Sequence, residues 1–273
     1  MANHISGIDH LVILVADLDV ASTTYERLGF TVSPRGFHSA HMGTANHTIM
    51  FQDDYLELLS VLTPTPVNAP MRARLEEGEG LMATILKTDD ATGAQHQMDA
   101  AGVTVLEPVA FERPVSRPDG GTGRAAFRIT RIDEPGGPRE GMFACEHLTR
   151  DTVWLPDLMT HANGATGLLA VTGVAEDPDV AAETLAILFD TEPVTAADGV
   201  ITVDAAGCIV TVSRGETGHA GRALRLTGVT LGVDDLDRTR GALSDVRHQD
   251  FGGSLQVPPT ETHGLNLTFK TGT

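Results

Sequence analysis

The clearest hydrophobic pattern in the chain is an apolar run at residues 8–15, followed directly by Asp17 and Asp19. An apolar run that meets a capping acid predicts a strand leading into a helix. Alternation along the strand places Ile8, His10, Val12 and Leu14 on one face, and Leu11, Ile13 and Val15 on the other. Because both faces are mainly apolar, both should be covered. His10 is then either a hydrogen-bonded core histidine or a metal ligand.

The elements after this strand predict a βαβββ unit. The helix is expected to end at Gly29, because a glycine just past the last turn is typical of a helix C-terminus. The remaining strands are predicted at residues 30–32, 47–51 and 55–61. A proline-rich stretch at 64–70 then interrupts the pattern and indicates a linker.

The same order of elements recurs three times. The second copy is predicted to have a strand at 81–87, a helix at 91–101, strands at 103–106, 124–132 and 141–148, and a hairpin connection at 135–138. The third copy begins near Gly167 and the fourth near Leu226. The long, irregular period excludes a solenoid, and the helix excludes a propeller blade. We therefore predict an α+β fold of four βαβββ modules paired into cupped mixed sheets, with two modules in residues 1–165 and two in 166–273.

Charge and composition narrow the class of partner. A formal net charge of -18 over 273 residues disfavours nucleic acid and anionic membranes. The two cysteines give no disulfide framework. The N-terminus lacks the pattern of a signal peptide, and the apolar runs are too short to span a bilayer. We expect a cytoplasmic protein that acts on a small molecule, with a homodimer as one option for its assembly.

Three short segments resemble a known superfamily. They are Gly7-Ile8-Asp9-His10, Gly29-Phe30 and Tyr55-Leu56-Glu57-Leu58. With the repeated βαβββ pattern, they make the chain similar to the vicinal oxygen chelate superfamily, which includes glyoxalases, extradiol dioxygenases and bleomycin-resistance proteins. Within it, segments 43–47, 143–147 and 161–165 resemble the glyoxalase-like domain proteins. The resemblance implies that each pair of modules forms a cupped eight-stranded sheet around a site.

The resemblance also implies a metal site. In that superfamily a His on the first strand of a module and a Glu on the fourth hold a divalent ion, and His10 and Glu57 match those positions. A carboxylate on the concave face of a buried sheet needs a compensating charge, which a metal supplies. The second module is expected to give a third ligand, for which His147 is favoured and Glu146 is the alternative. Imidazole and carboxylate suit Zn, Mn, Fe, Ni or Co without choosing among them.

Other residues are expected around this site. Arg35 and His38 lie in a loop that should rim the cup, where they can hold an anionic or oxygenated substrate. Asn46 is expected to orient a ligand, and Trp154 lies in a linker that can fold over the mouth. Either a metal-bound water or a displaced carboxylate can move the proton, and in the second case Glu57 is the expected catalytic residue.

The second half of the chain departs from the pattern. Gly228 and Ala170 stand where His10 stands in the first module, and strands 208–212 and 265–269 carry no acid. Residues 166–273 are therefore expected to be a degenerate pair of modules without metal.

Three functions fit these observations. The preferred hypothesis is a metal-dependent lyase or isomerase of glyoxalase type, acting on a small substrate chelated through vicinal oxygens. The second is an Fe(II) extradiol-type dioxygenase, which ranks lower because only 4% of the residues are aromatic and no stacking platform is evident. The third is a metal-free binding or resistance protein.

Overall fold

The computed structural model describes residues 3–116, 120–132, 142–217 and 224–272. The first two modules consist of β1 (Ile8–Leu14), α1 (Leu18–Arg27), β2 (Gly36–Phe37), β3 (Thr44–Met50) and β4 (Tyr55–Val61), then a linking helix α2 (Ala69–Glu76), then β5 (Gly80–Thr88), α3 (Ala91–Ala100), β6 (Val109–Ser116), β7 (Thr122–Arg131) and β8 (Phe143–His147). The other two consist of β9 (Ala165–Ala175), α4 (Pro178–Phe189), β10 (Val194–Thr195), β11 (Ile201–Ala205), β12 (Cys208–Arg214), β13 (Arg225–Val233), α5 (Leu236–Ala242), β14 (Gln249–Asp250), β15 (Ser254–Val257) and β16 (Asn266–Thr271). The predicted α+β fold of four βαβββ modules is confirmed. The predicted hairpin connection at 135–138 lies outside the described residues.

The helix of each module begins at an aspartate. Asp17, Asp90, Asp177 and Asp235 each accept hydrogen bonds from backbone N–H groups in the first turn of the helix that follows. These N–H groups have no partner within the helix, so each cap satisfies donors that the helix leaves free. The repeated capping residue explains why the sequence pattern located all four helix starts.

Two eight-stranded sheets contain the strands. The first has the order β2-β3-β4-β1-β5-β8-β7-β6 and the second β10-β11-β12-β9-β13-β16-β15-β14. In the first sheet β1 runs parallel to β4 and antiparallel to β5. The edge strands β2 and β6 contact each other, so the sheet curls until its two edges meet. This meeting line, between β2 and β6, is called the seam below.

One face of each sheet packs, with its helices, into a shared hydrophobic core. Phe30 stacks on Phe269 of the second sheet, with ring centroids 5.9 Å apart. Tyr25 donates a hydrogen bond from its hydroxyl to the Thr262 carbonyl oxygen at 3.2 Å. Among the described residues, no helix has the length and hydrophobicity that crossing a membrane requires.

Two predicted strands are wrong, and the cause is the same in both. Residues 30–32 are not a strand, and of residues 103–106 only Val105 forms an isolated bridge. After α1, the Phe30 N–H donates to the Tyr25 carbonyl and the Gly29 N–H donates to that of Glu26. This is a Schellman motif, in which the apolar residue after the glycine packs back on the helix instead of opening a strand.

The motif recurs after α3. There the Val103 N–H donates to the Met98 carbonyl at 2.9 Å, and the Gly102 N–H donates to that of Asp99 at 3.0 Å. Val103 is buried, as is Phe30. The second strand of each module therefore lies later in the chain than predicted, at β2 and at β6.

Candidate active site

A bulge in β1 brings two ionisable side chains together. Ile8 pairs with Leu86 and His10 pairs with Ile85, so Asp9 and His10 share one step of the partner strand. A bulge of this kind re-aims the side chain of the extra residue. Asp9 and His10 are accordingly both buried, with only 1% and 5% of their surfaces exposed.

The bulge also corrects a prediction from the sequence. Strict alternation put Ile8 on the face of His10, Val12 and Leu14. Instead, Ile8 packs in the shared core with Leu11, whereas Val12 and Leu14 belong to a separate cluster inside the first sheet. Asp9 was missed for the same reason, because alternation without a bulge turns it away from His10.

Four side chains form a continuous buried network. Asp9 Oδ1 lies 2.6 Å from His10 Nδ1 and 3.0 Å from His147 Nε2, so one carboxylate oxygen bridges two imidazoles. On the other side of its ring, His10 Nε2 lies 3.5 Å from Glu57 Oε2. The structure thus brings the predicted residues His10 and Glu57 together, and it places His147 next to Asp9.

Glu57 is held in place by two further side chains. Asn46 donates from Nδ2 to Glu57 Oε1 at 2.5 Å, and His38 Nε2 lies 3.9 Å from the same oxygen. His38 Nδ1 in turn lies 2.7 Å from the Thr44 hydroxyl. Asn46 and His38, both predicted to contact substrate, therefore adjoin the carboxylate of Glu57.

The network sets the charge of its members. Although burial opposes the charged form, hydrogen bonds with Asp9 and Glu57 raise the pKa of His10 to about 9. Burial likewise opposes ionisation of Glu57, but the hydrogen bond and charge of His10 lower the pKa of that carboxyl to about 2. The two histidines lower the pKa of Asp9 well below its usual range against the effect of burial. At neutral pH an imidazolium therefore lies between two carboxylates in the metal-free protein.

The pKa of His38 is shifted downward, in the opposite direction from that of His10. Burial lowers its pKa, Glu57 opposes that effect, and the nearby guanidinium of Arg113 adds to it. His38 is thus a neutral imidazole at pH 7, beside an ionised carboxylate.

Aromatic rings enclose the two network histidines. Tyr55 stacks on His10 with ring centroids 4.2 Å apart, and Phe143 meets the same imidazole edge-on. Phe127 and Trp154 pack edge-on against His147, at 5.1 and 4.8 Å. The low aromatic content therefore did not reveal that aromatic residues gather at the site.

Trp154 is buried where the linker crosses the sheet. Its indole Nε1 donates to the Phe51 carbonyl at 3.0 Å, and the guanidinium of Arg150 covers its ring at 3.7 Å. Its predicted contact with substrate stays a prediction.

The two candidates for a third ligand lie on opposite faces of β8. Glu146 accepts a hydrogen bond from the Ala91 N–H at 3.1 Å and from Arg128 at 3.3 Å, at the start of α3. His147 points to the inside of the curled sheet, where its Nδ1 is buried and has no hydrogen-bond partner among the residues that the structure describes. The choice between them as a metal ligand stays a prediction. Of the two side chains, only that of His147 lies inside the curled sheet near His10.

A small cleft lies at the seam, next to this network. Its volume is about 50 Å³, and its lining includes Arg35, Gly36, Asn46, Arg113 and Leu158. Arg35, which was predicted to hold substrate, lines the cleft while it forms an ion pair with Asp19. Asn46 is shared, because it lines the cleft and also binds Glu57.

Comparison with known families agrees with this architecture. The family model of the glyoxalase-like domain matches residues 8–189. The chain belongs to the glyoxalase-like domain family. The predicted membership of the vicinal oxygen chelate superfamily is thereby confirmed, and no curated protein matches the chain in sequence.

Solved structures share the fold of this glyoxalase-like chain. A crystal structure of a hypothetical protein from Staphylococcus aureus is 14% identical, with a TM-score of 0.72 over 97% of this chain and 98% of that one. A mutant 4-hydroxymandelate synthase from Streptomyces coelicolor is 15% identical, with a TM-score of 0.61 over 98% and 94%. A fusion of a xylose isomerase-like TIM barrel with 4-hydroxyphenylpyruvate dioxygenase is 15% identical, with a TM-score of 0.60 over 100% of this chain and 50% of that one.

The donor atoms at the site suit the divalent ion that the superfamily implies. Two ligands that each bond one ion at about 2.1 Å lie roughly 3 to 3.6 Å apart, and His10 Nε2 and Glu57 Oε2 meet that condition at 3.5 Å. Asp9 on the other ring nitrogen is the carboxylate that commonly orients a ligating histidine. A second set is also compact: ligand atoms of Asp9, Cys145 and His147 lie within 4.8 Å of one another.

Proposed function

We propose that this chain is a metal-dependent enzyme of glyoxalase type, a lyase or isomerase that acts on a small substrate through two neighbouring oxygens. One observation carries the proposal: the buried His10 ring lies between Asp9 and Glu57, with Nε2 directed at a carboxylate oxygen 3.5 Å away. This arrangement offers an imidazole and a carboxylate to one cation, with the imidazole already oriented. The family match over residues 8–189 supports an enzyme of this class.

In this proposal His10 and Glu57 hold the ion, Asp9 orients His10, and His147 binds Asp9. The hydrogen bond at Nδ1 makes that nitrogen a donor to Asp9 and leaves Nε2 free for a cation. His147 fixes Asp9 in turn, and its Nδ1, which has no hydrogen-bond partner within the described ranges, is a further potential metal ligand inside the cup. When bound, a divalent ion supplies Lewis-acid stabilisation of negative charge on the substrate oxygens.

His38 and Glu57 are placed to move a proton. His38 is neutral at pH 7 and lies at the rim of the network, so its imidazole can accept a proton from substrate. The Glu57 carboxylate, 3.9 Å away, stabilises the imidazolium that results. Asn46 holds the carboxylate in place from the cleft side.

A dioxygenase is the second candidate. Two imidazoles and a carboxylate are the donors of many non-haem Fe(II) sites. The aromatic rings around His10 and His147 weaken the argument from low aromatic content that ranked it lower. Two structural neighbours are named as a 4-hydroxymandelate synthase and a 4-hydroxyphenylpyruvate dioxygenase fusion, which adds likeness of fold only.

Metal content is the decisive measurement. Chelator-treated protein is reloaded separately with Zn, Mn, Fe, Ni and Co, and the bound ion is counted by elemental analysis and titration. We expect about one ion per chain, lost in His10→Ala and weakened about 100-fold or more in Glu57→Gln. His96→Ala, which changes an exposed histidine on α3, is the matched control and should bind as the wild type does.

A third variant separates the two possible ligand sets. Cys145→Ser should keep the ion if His10 and Glu57 hold it, and should lose it if the set is Asp9, Cys145 and His147. Full retention of metal in His10→Ala would contradict the proposal. With metal bound, oxygen consumption would identify the dioxygenase, whereas conversion without oxygen would support the lyase or isomerase. A chain that binds no metal would be the ligand-holding protein of the third hypothesis.

A further inference from the structure

The seam cleft contains an arginine, Arg113, that forms no ion pair with any acidic residue in the described part of the chain. Arg113 projects from the edge strand β6 and is half-buried. Among the described residues, no carboxylate lies within 4.0 Å of its guanidinium, which rests 5.9 Å from the centre of the Phe127 ring. By contrast, Arg35 in the same cleft pairs with Asp19 and Arg124 on the next strand pairs with Glu112 at 2.8 Å.

A glycine on the opposite edge makes room for this arginine. A Cβ at Gly36 on β2 would lie 2.9 Å from Arg113 Nη1 and closer still to Asn46 Oδ1. Any other residue at this position would push against the guanidinium, so the glycine permits the close approach of the two edges. Arg113 therefore lies beside Asn46, whose amide binds Glu57 on its other side.

The negative charge of the chain and the geometry of a guanidinium together suggest a role for an arginine that has no acidic partner among the described residues. The chain has a formal net charge of -18. An anionic molecule that approaches the cleft is therefore repelled by the protein as a whole unless a nearby cation offsets that charge. A guanidinium also presents several N–H donors in a plane, which fits a carboxylate or phosphate with two parallel hydrogen bonds.

We propose that Arg113 binds an oxyanion group of the substrate, a carboxylate or a phosphate, that lies apart from the two oxygens at His10 and Glu57. The substrate is then an anion that spans the path from the seam to the buried network, with Asn46 between its two ends. This inference rests on the proposed function for the inner end of the substrate, and on the cleft alone for the outer end.

Paired compounds test the charge directly. Binding is measured by calorimetry for 2-oxoglutarate against 2-oxobutyrate, and for dihydroxyacetone phosphate against dihydroxyacetone. In each pair the members share two neighbouring oxygens, and only the first has the additional oxyanion. We expect the wild type to prefer the first member of at least one pair, and the pair that shows the larger preference distinguishes a carboxylate from a phosphate.

The preference should depend on Arg113. In Arg113→Gln it should fall by about 10- to 100-fold, while binding of the second members stays within about twofold. Arg113→Lys should keep part of it, because the charge remains but the planar pair of donors is lost. Arg124→Gln on the neighbouring strand is the matched control and should leave the preference unchanged. An equal affinity for both members of each pair, or a preference that persists in Arg113→Gln, would overturn the inference.

The same titrations on chelator-treated protein separate this inference from the proposed function. An Arg113-dependent preference that survives without any metal binding would support the oxyanion site while the metal-dependent enzyme fails. Metal-dependent turnover with no Arg113-dependent preference would overturn the oxyanion site and leave the enzyme.

Discussion

Strands β1 and β13 share two irregularities but differ in chemistry. Against its antiparallel neighbour, β1 has register shifts at Ile8–His10 and Val12–Ile13. Strand β13 has shifts at the two corresponding places, Leu226–Gly228 and Thr230–Leu231, and a third at Gly232–Val233. The match is residue for residue, so Thr227 and Gly228 take the places of Asp9 and His10. The bulge therefore belongs to the fold, and the ionisable pair is an addition to it.

The second sheet also has no room for an imidazole at that position. A Cβ at Gly228 would lie 2.7 Å from the Thr172 hydroxyl and 3.0 Å from the Asn266 carbonyl oxygen. The half-buried positions on this face are uncharged: Thr172, Thr211, Thr227, Asn266 and Thr268. The same fold thus forms without buried charge, which indicates that the network in the first sheet exists for binding or chemistry. The prediction that the second half binds no metal is consistent with this comparison and stays a prediction.

Removing Asp9 should produce the largest difference between the sheets. In Asp9→Ala, His10 and His147 lose a shared buried acceptor, so the free energy of unfolding should fall by about 3 to 5 kcal/mol. Thr172→Val at the corresponding face of the second sheet should cost about 1 kcal/mol or less. Urea unfolding of chelator-treated protein measures both. An equal loss of stability in the two variants would show that these two positions contribute alike, and that the first sheet holds no special buried network.

The pH dependence of stability should sharpen the comparison. Because the pKa of His10 is raised from 6.5 to about 9, its stabilising contribution is complete below pH 6.5 and is lost as pH rises through 9. Because the pKa of Glu57 is lowered from 4.5 to about 2, its contribution is complete above pH 4.5 and is lost as pH falls through 2. Metal-free protein should be most stable between pH 4.5 and 6.5.

The alkaline decline should be of the order of 3 kcal/mol between pH 6.5 and 9.5. Glu57→Gln removes one of the two carboxylates that raise the pKa of His10, so its decline should be smaller and should end at lower pH. Urea unfolding in buffers from pH 5 to 10 tests this. A wild-type curve that stays flat from pH 6.5 to 9.5 would show that His10 is not protonated in the folded chain.

Helix capping should show the smallest effect and no difference between the sheets. Asp17 and Asp235 each accept hydrogen bonds from two N–H groups in the first turn of α1 and α5. Asp17→Ala and Asp235→Ala should therefore each cost about 1 kcal/mol, measured by urea unfolding. Asp99→Ala in the last turn of α3 is the control and should cost nothing, because an acid there opposes the helix dipole. A cost confined to one cap would mean that the modules differ in structure as well as in chemistry.

The sequence predicted the features that are determined by residues close together in the chain. The recurring order of strands and helices located the modules, and the resemblance to the superfamily selected His10 and Glu57. The features that it did not predict depend on an irregularity in a strand or on contacts between residues far apart in the chain. Asp9 enters the site through one bulge, which a strict period of two cannot represent.

Arg113 was missed because its strand was taken for a loop. The prediction placed a strand at 103–106, where a Schellman motif ends α3, and left 109–116 without structure. Even with β6 assigned, nothing local connects Arg113 with Gly36, since they meet only when the sheet curls and its edges come together.

The seam gives this protein a simple route to new specificity. Its two sides come from different modules, and β2 has only two residues. If substrate enters at the seam, as proposed, replacements in β2 and β6 alter what enters while the charged interior, anchored on β1, β4 and β8, stays as it is. Selectivity and reactivity can therefore diverge independently among descendants of one ancestral chain.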